Sequence, residues 1–258
     1  MNIKTVGVVG CGLMGSGIVE VCARRGYNVI VREVNDDFLS QGLARLRESI
    51  QRAVDRGKLS AADRDAASAR VRGTTEMRDL AACDLVIEAA IENLELKKDI
   101  FKQLAAVTRP DAILASNTSS LAVMEMAAMT NKPDKVIGMH FFNPVPVMPL
   151  LEMVRTFLTS EETYQTARAF GEGLGKTIIV SKDAPGFIVN ALLIQYLLDA
   201  VRMYENNFAT KEDILFIADE MFRELKDARF AAPALLRRMV AAGYAGKKSG
   251  KGFYEYGK

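Results

Sequence analysis

The sequence predicts an α/β fold, with a doubly wound, mostly parallel sheet over residues 1–184 and a smaller all-helical C-terminal domain over 185–258. Three observations predict it. Short β-branched runs alternate with amphipathic stretches through the first part, as parallel strands do when helices cover both faces of their sheet. A glycine-rich turn follows the first of these runs. Beyond DAPG at 183–186 the periodic stretches all read as helix, over 187–205, 211–225 and 232–242.

Taken in order, TVGVV at 5–9 is a continuous apolar run and reads as a buried strand. Helix follows over 18–25, and NVIV at 28–31 is a second strand. From Asn35 the period changes: Leu39, Leu43, Leu46, Ile50 and Val54 recur every three or four residues, which places them on one stripe of a long helix. DLVIEA at 84–89, AILAS at 112–116 and KVIGMHFF at 135–142 are further strands, each bounded by turn or helix signals. Residues 150–154 and 176–180 extend the sheet, the latter after Gly171, Gly173 and Gly175. The closing AGKKSGKGFYEYGK is too rich in Gly and Lys for a helix and reads as an ordered tail.

Composition excludes several classes of function. With 34 Lys and Arg against 32 Asp and Glu, the net charge of +2 on 258 residues gives no electrostatic reason to expect nucleic acid. The apolar runs are too short and too often broken by charge to cross a bilayer as helices. MNIKTVGVVG leads directly into a strand without the basic, apolar and small-residue sequence of a signal peptide. Cys11, Cys22 and Cys83 are odd in number and have no CxxC spacing, so we expect no structural zinc, no metal, and a reducing compartment such as the cytoplasm.

Gly10-Cys11-Gly12-Leu13-Met14-Gly15 matches GxGxxG between a buried strand and a helix, and Glu33 answers it at the end of the second strand. In that context the first glycine permits the tight turn, the second lets a pyrophosphate approach the backbone, and the third lets helix pack on strand. The expectation is a Rossmann-type dinucleotide site with the phosphates on a helix N-terminus. Glu33 would accept from the adenosine ribose hydroxyls and repel a 2'-phosphate, which favours NAD. The neighbouring Arg32 keeps NADP open.

His140 is the only histidine in the chain, and it lies near the end of a strand, where the carboxyl edge of an open sheet forms a ligand crevice. Glu152 lies beyond the proline-rich turn NPVPVMP (143–149), which can return the chain beside the imidazole. A histidine oriented by a carboxylate is a suitable base for removing an alcohol proton during hydride transfer. From the residues alone, a satisfied core histidine is an equal alternative.

SNTSS at 116–120, GMHFFNP at 138–144 and PGFIVN at 185–190 stand in this order and, together with the glycine turn and the GKKSGKGFYEY tail, resemble the 3-hydroxyacyl-CoA dehydrogenase family, in particular its bacterial 3-hydroxybutyryl-CoA dehydrogenase branch. The resemblance implies an oxidoreductase that interconverts short-chain (S)-3-hydroxyacyl-CoA and 3-ketoacyl-CoA with NAD(H) and forms a homodimer through its helical domain. It implies that His140 is the general base, that Glu152 stabilises its imidazolium, and that Ser119 and Asn190 hold substrate oxygens. Glu92, Lys97, Ser119, Asn143 and Lys248 fall at cofactor positions, and Ser49 and Arg56 fall where coenzyme A is gripped. Arg52 shares their helix face and is suited to the same phosphates.

There are two departures from the family pattern. Pro149 stands where relatives commonly carry a lysine. The chain also passes directly from KEDI to LFIADE at 214–215, without the helix and the Gly-, His- and Pro-rich loop found in the family, a change that bears on the substrate-side wall and the dimer interface. A related class of β-hydroxyacid dehydrogenases needs a catalytic lysine on the helix that here reads GFIVNALLIQYLLD, which holds none. A non-enzymatic dinucleotide-binding protein of crystallin type is the remaining alternative; it would have no need to retain Ser119, His140, Glu152 and Asn190 together.

Overall fold

Short runs, apolar in all but β3, form the strands β1 (Thr5–Val9), β2 (Asn28–Arg32), β3 (Val71–Thr74), β4 (Leu85–Glu88), β5 (Ile113–Ser116), β6 (Val136–Phe141), β7 (Leu150–Arg155) and β8 (Thr177–Lys182). In the computed structural model, which describes residues 3–205, 238 and 241–244, they make one sheet in the order β3-β2-β1-β4-β5-β6-β7-β8. Adjacent strands are parallel except β6 and β7, which run antiparallel. The strand order reverses between β1 and β4, and the crevice at the carboxyl ends of these two strands is where open α/β sheets take ligands.

Seven α-helices are found among the described residues: α1 (Leu13–Arg24), α2 (Asp36–Asp55), α3 (Ala61–Ala69), α4 (Leu94–Val107), α5 (Val123–Ala127), α6 (Glu161–Gly173) and α7 (Val189–Glu205). Two cores flank the sheet. On one face Ile18 and Val19 of α1, Leu46 and Ile50 of α2, and Tyr164 and Phe170 of α6 pack with Val6 and Val8 of β1. On the other, Ile100, Phe101 and Leu104 of α4 and Val123 and Met126 of α5 pack with Val9 and Val86. This two-sided cover is what the predicted alternation required. The unit containing the sheet comprises Met1–Asn190, and a second unit comprises Ala191–Lys258. No helix among the described residues is long and apolar enough to cross a membrane.

The elements differ from the expected ones in places that have local causes. α1 begins at Leu13 rather than at 18, because Gly12 supplies an extended N-cap directly after the turn. α7 begins at Val189 rather than 187, since Gly186 and Phe187 take positive φ values of 77° and 49° that no helix admits. β3 is not among the expected strands, because VRGT is an edge strand with one arginine, one glycine and little β propensity. Helix α6 is opened by Ser160, whose side chain accepts from the Thr163 N–H. The helices expected at 211–225 and 232–242, the tail and the 214–215 junction lie outside the described residues.

Candidate active site

The turn from β1 into α1 has the geometry that a phosphate cradle needs. Gly10 has φ +96°, and a Cβ there would stand 2.7 Å from the Ala89 carbonyl oxygen. At Gly15 a Cβ would collide with the Gly10 carbonyl, whereas at Gly12 it would meet nothing within 4 Å among the described residues. Gly12 is also the N-cap of α1, with no side-chain cap and no acidic residue in the first turn, so the positive end of the helix is open to an anion.

At the end of β2, Glu33 Oε1 accepts from the Cys11 N–H at 2.6 Å and Oε2 from the Val34 N–H at 3.0 Å. Burial, and then the Glu33 charge, push the Cys11 thiol up to about 11, so it stays protonated. Arg32 is turned to the β3 side, its Nε donating to the Thr75 carbonyl at 3.2 Å. These residues fit a dinucleotide with pyrophosphate on α1 and ribose on Glu33. Replacing Glu33 by Ser is therefore expected to raise the NADPH-to-NADH ratio of kcat/KM by about tenfold, because an anion facing a 2'-phosphate is removed. An unchanged ratio would mean that another group sets the preference.

Antiparallel register brings His140 of β6 directly opposite Glu152 of β7. The intervening turn is held by Lys176, whose buried Nζ donates to the carbonyls of Val145 at 2.6 Å and Met148 at 2.7 Å. His140 Nδ1 lies 3.0 Å from Glu152 Oε2, and the ring packs against Phe142 and Phe187 at centroid distances of 4.5 and 5.9 Å. Glu152 is fully buried, and its other oxygen, Oε1, accepts from the N–H groups of Ile188 at 2.7 Å and Val189 at 3.3 Å. A carboxylate can only accept, so Nδ1 must donate, which leaves Nε2 with a free lone pair.

The turn after β5 carries Asn117 to Ser120. Asn117 Oδ1 accepts from the Phe141 N–H at 2.9 Å and ties the turn to β6 beside His140. Asn190 Nδ2 donates to the Ser119 carbonyl at 3.2 Å, so the two proposed substrate-holding residues meet. Glu92 Oε1 accepts from Thr118 Oγ1 and from the Ser119 N–H at 3.0 Å. Burial acts to raise the Glu92 carboxyl, but the Thr118 and Ser119 donors and the Lys97 charge outweigh it and hold the group below its usual range.

The remaining expected residues are placed less closely. Ser49 is half-buried on α2, while Arg52 and Arg56 are exposed. Arg52 lines an open groove of about 600 Å³ between α2 and α3 together with Arg47, Arg64 and Ser68, and Ser49 and Arg56 do not. Asn143 is exposed on the proline-rich turn, and Lys248 lies outside the described residues. Two residues that the sequence reading passed over also shape the site. Asp183 accepts from the N–H groups of Val123 at 2.9 Å and Met124 at 2.7 Å, capping α5 from the end of β8. Glu88 closes β4, as described below. A carboxylate after an apolar run was the only available signal for either.

A doubly wound sheet with an open glycine turn at its switch point and a buried histidine–glutamate pair at the carboxyl end of β6, two strands beyond β4, defines the class of nicotinamide-dependent dehydrogenases. The family model described as 3-hydroxyacyl-CoA dehydrogenase, NAD binding domain, matches residues 5–184, and the C-terminal domain model of the same family matches residues 215–256. The chain belongs to the 3-hydroxyacyl-CoA dehydrogenase family. It is 45% identical over 282 aligned positions to a 3-hydroxybutyryl-CoA dehydrogenase of Mycobacterium tuberculosis, covering 98% of this chain and 99% of that protein. It is 35% identical over 287 positions to the human mitochondrial hydroxyacyl-coenzyme A dehydrogenase, covering 98% and 91%. The crystal structure of (S)-3-hydroxybutyryl-CoA dehydrogenase PaaH1 from Ralstonia eutropha superposes with a TM-score of 0.80 at 38% identity, covering 100% of both chains. Both alignments are longer than the chain, so each relative has positions that this chain lacks.

Proposed function

We propose that the protein interconverts short-chain (S)-3-hydroxyacyl-CoA, with 3-hydroxybutyryl-CoA as the type substrate, and the corresponding 3-ketoacyl-CoA, acetoacetyl-CoA, using NAD(H). The observation that carries this reading is the buried His140–Glu152 pair within a chain whose full-length relatives are named for that reaction. NAD, held on the glycine turn and Glu33, supplies the hydride acceptor. In the oxidative direction His140 Nε2 takes the proton of the 3-hydroxyl as the C3–H bond breaks and the C3–O bond becomes a carbonyl. Glu152 stabilises the imidazolium that results, and in reduction His140 returns the proton. Ser119 and Asn190 hold the substrate oxygens. Ser49, Arg52 and Arg56 take the coenzyme A phosphates, with the α2–α3 groove beside them.

On the same reading, residues 1–184 form the cofactor domain and 185–258 the substrate and dimerisation domain, and the protein is a cytoplasmic homodimer. Three free, buried cysteines agree with a reducing compartment. The relatives described above are named as dehydrogenases, and the crystallin-type alternative has no support among them. The test follows loss of NADH absorbance with acetoacetyl-CoA and, separately, with free acetoacetate. We expect turnover with the thioester and little with the free acid; reduction of acetoacetate alone would remove coenzyme A from the substrate class. NADPH run in parallel measures the cofactor preference.

A further inference from the structure

Glu88, the last residue of β4, is fully buried, and both of its carboxylate oxygens are occupied. Oε1 accepts from Lys97 Nζ at 2.6 Å and from the Ala90 N–H at 2.7 Å, and Oε2 accepts from Ser116 Oγ at 2.6 Å. Lys97 itself is 1% exposed. Its Nζ has three N–H donors and three acceptors around it: Glu88 Oε1, Glu92 Oε2 at 3.3 Å and the Ala90 carbonyl at 3.4 Å. Held among these acceptors inside the protein, two of them hydrogen-bonded and Glu92 as an ion pair, this lysine reaches a ligand through Glu92. Glu92 is the outermost member of the chain, with 38% of its side chain exposed, and its Oε1 receives Thr118 Oγ1 and the Ser119 N–H.

We infer that Glu88 is a positioning residue for the reaction: it anchors Lys97, which fixes Glu92, which in turn sets the 117–120 turn that presents Ser119. The inference rests on the substrate role proposed for Ser119. Burying a carboxylate and an ammonium is costly, and an apolar pair of similar volume would satisfy the fold at least as well. A structural role needs only the Glu88–Lys97 pair. The arrangement goes further, because Lys97 lies between Glu88 at the end of β4 and the half-exposed Glu92, and Ser116 Oγ on Glu88 locks the base of the same turn from β5. The positioning reading therefore predicts that the turn loosens when Glu88 loses its charge, even where the fold is retained.

The test uses the full-length protein as Glu88→Gln and as the paired Glu88→Met/Lys97→Met, which removes both buried charges with side chains of near-native volume. Amide hydrogen exchange of the ligand-free protein reads the turn directly. In both variants exchange of the peptide spanning 117–121 is expected to rise about tenfold or more, while peptides from α1 and α6 stay protected. With acetoacetyl-CoA, kcat/KM is expected to fall about tenfold to a hundredfold, the loss that follows when a positioned group shifts by an ångström or so. The loss should largely vanish in a Ser119→Ala background, because the two changes act on one group. Unchanged exchange at 117–121, losses that add to that of Ser119→Ala, or wild-type kcat/KM in the paired methionine variant would each overturn the inference and leave the pair a stability element. If the unmodified enzyme fails to turn over acetoacetyl-CoA, the proposed function falls, and the exchange measurement still decides the role of Glu88.

Discussion

His140→Gln is expected to lower turnover of acetoacetyl-CoA by about 10²- to 10⁴-fold, the usual worth of general acid–base assistance, while NADH affinity stays near that of the unmodified protein. The imidazole lies at the end of β6, away from the glycine turn at the end of β1, and its ring is held by Phe142, Phe187 and the 3.0 Å contact with Glu152. Glu152→Gln is expected to act in the same direction for a more specific reason. Glu152 serves two sets of donors, His140 Nδ1 on one oxygen and the Ile188 and Val189 N–H groups on the other. An amide has one oxygen, so one set must face an NH₂ group. If that set is His140, Nδ1 must become the acceptor and the proton moves to Nε2, which can then no longer act as base. If it is the α7 start, two N–H groups are opposed by a donor and the segment carrying Asn190 is released. The two single losses should be strongly non-additive in His140→Gln/Glu152→Gln, since both remove one acid–base unit. Steady-state kinetics with NADH binding measured separately would check this; near-normal turnover in His140→Gln would make the pair structural.

Gly12→Val is expected to weaken NADH binding by about a hundredfold, roughly 2.7 kcal/mol, with a melting temperature close to that of the unmodified protein. Among the described residues a side chain there meets nothing, so the collision expected is with a ligand at the α1 N-terminus. Gly15→Ala is the contrasting case, because its Cβ collides with the Gly10 carbonyl and forces the turn itself to move. Nucleotide fluorescence titration and thermal melting of the two variants separate the effects. Retained NADH affinity in Gly12→Val would place the dinucleotide elsewhere.

The sheet apart from its edge strand β3, the glycine turn with Glu33, and the place of His140 at a carboxyl edge were determined by the sequence itself, because each depends on local chemistry. Apolar β-branched runs, glycines at fixed spacing and the helix stripe of Leu39, Leu43, Leu46 and Ile50 are signals carried within a dozen residues of chain. The pairing of His140 with Glu152 was legible only as a possibility, since a proline-rich turn permits a return without specifying its register. The antiparallel alignment of β6 with β7 makes the two residues direct partners. Nothing local distinguishes Lys97 from the surface lysine next to it, Lys98, which pairs with Glu95 and Glu125 at the surface. One is buried and the other is not because α4 turns a single face to the sheet, and Glu88 at the end of β4 waits beneath that face to neutralise the charge. The same holds for Asp183 on α5 and for the second oxygen of Glu152 on the start of α7, where donor and acceptor are separated by 59 and 36 residues. Such partners are chosen by the need to satisfy every buried polar group, a condition that exists only once the chain has folded around them.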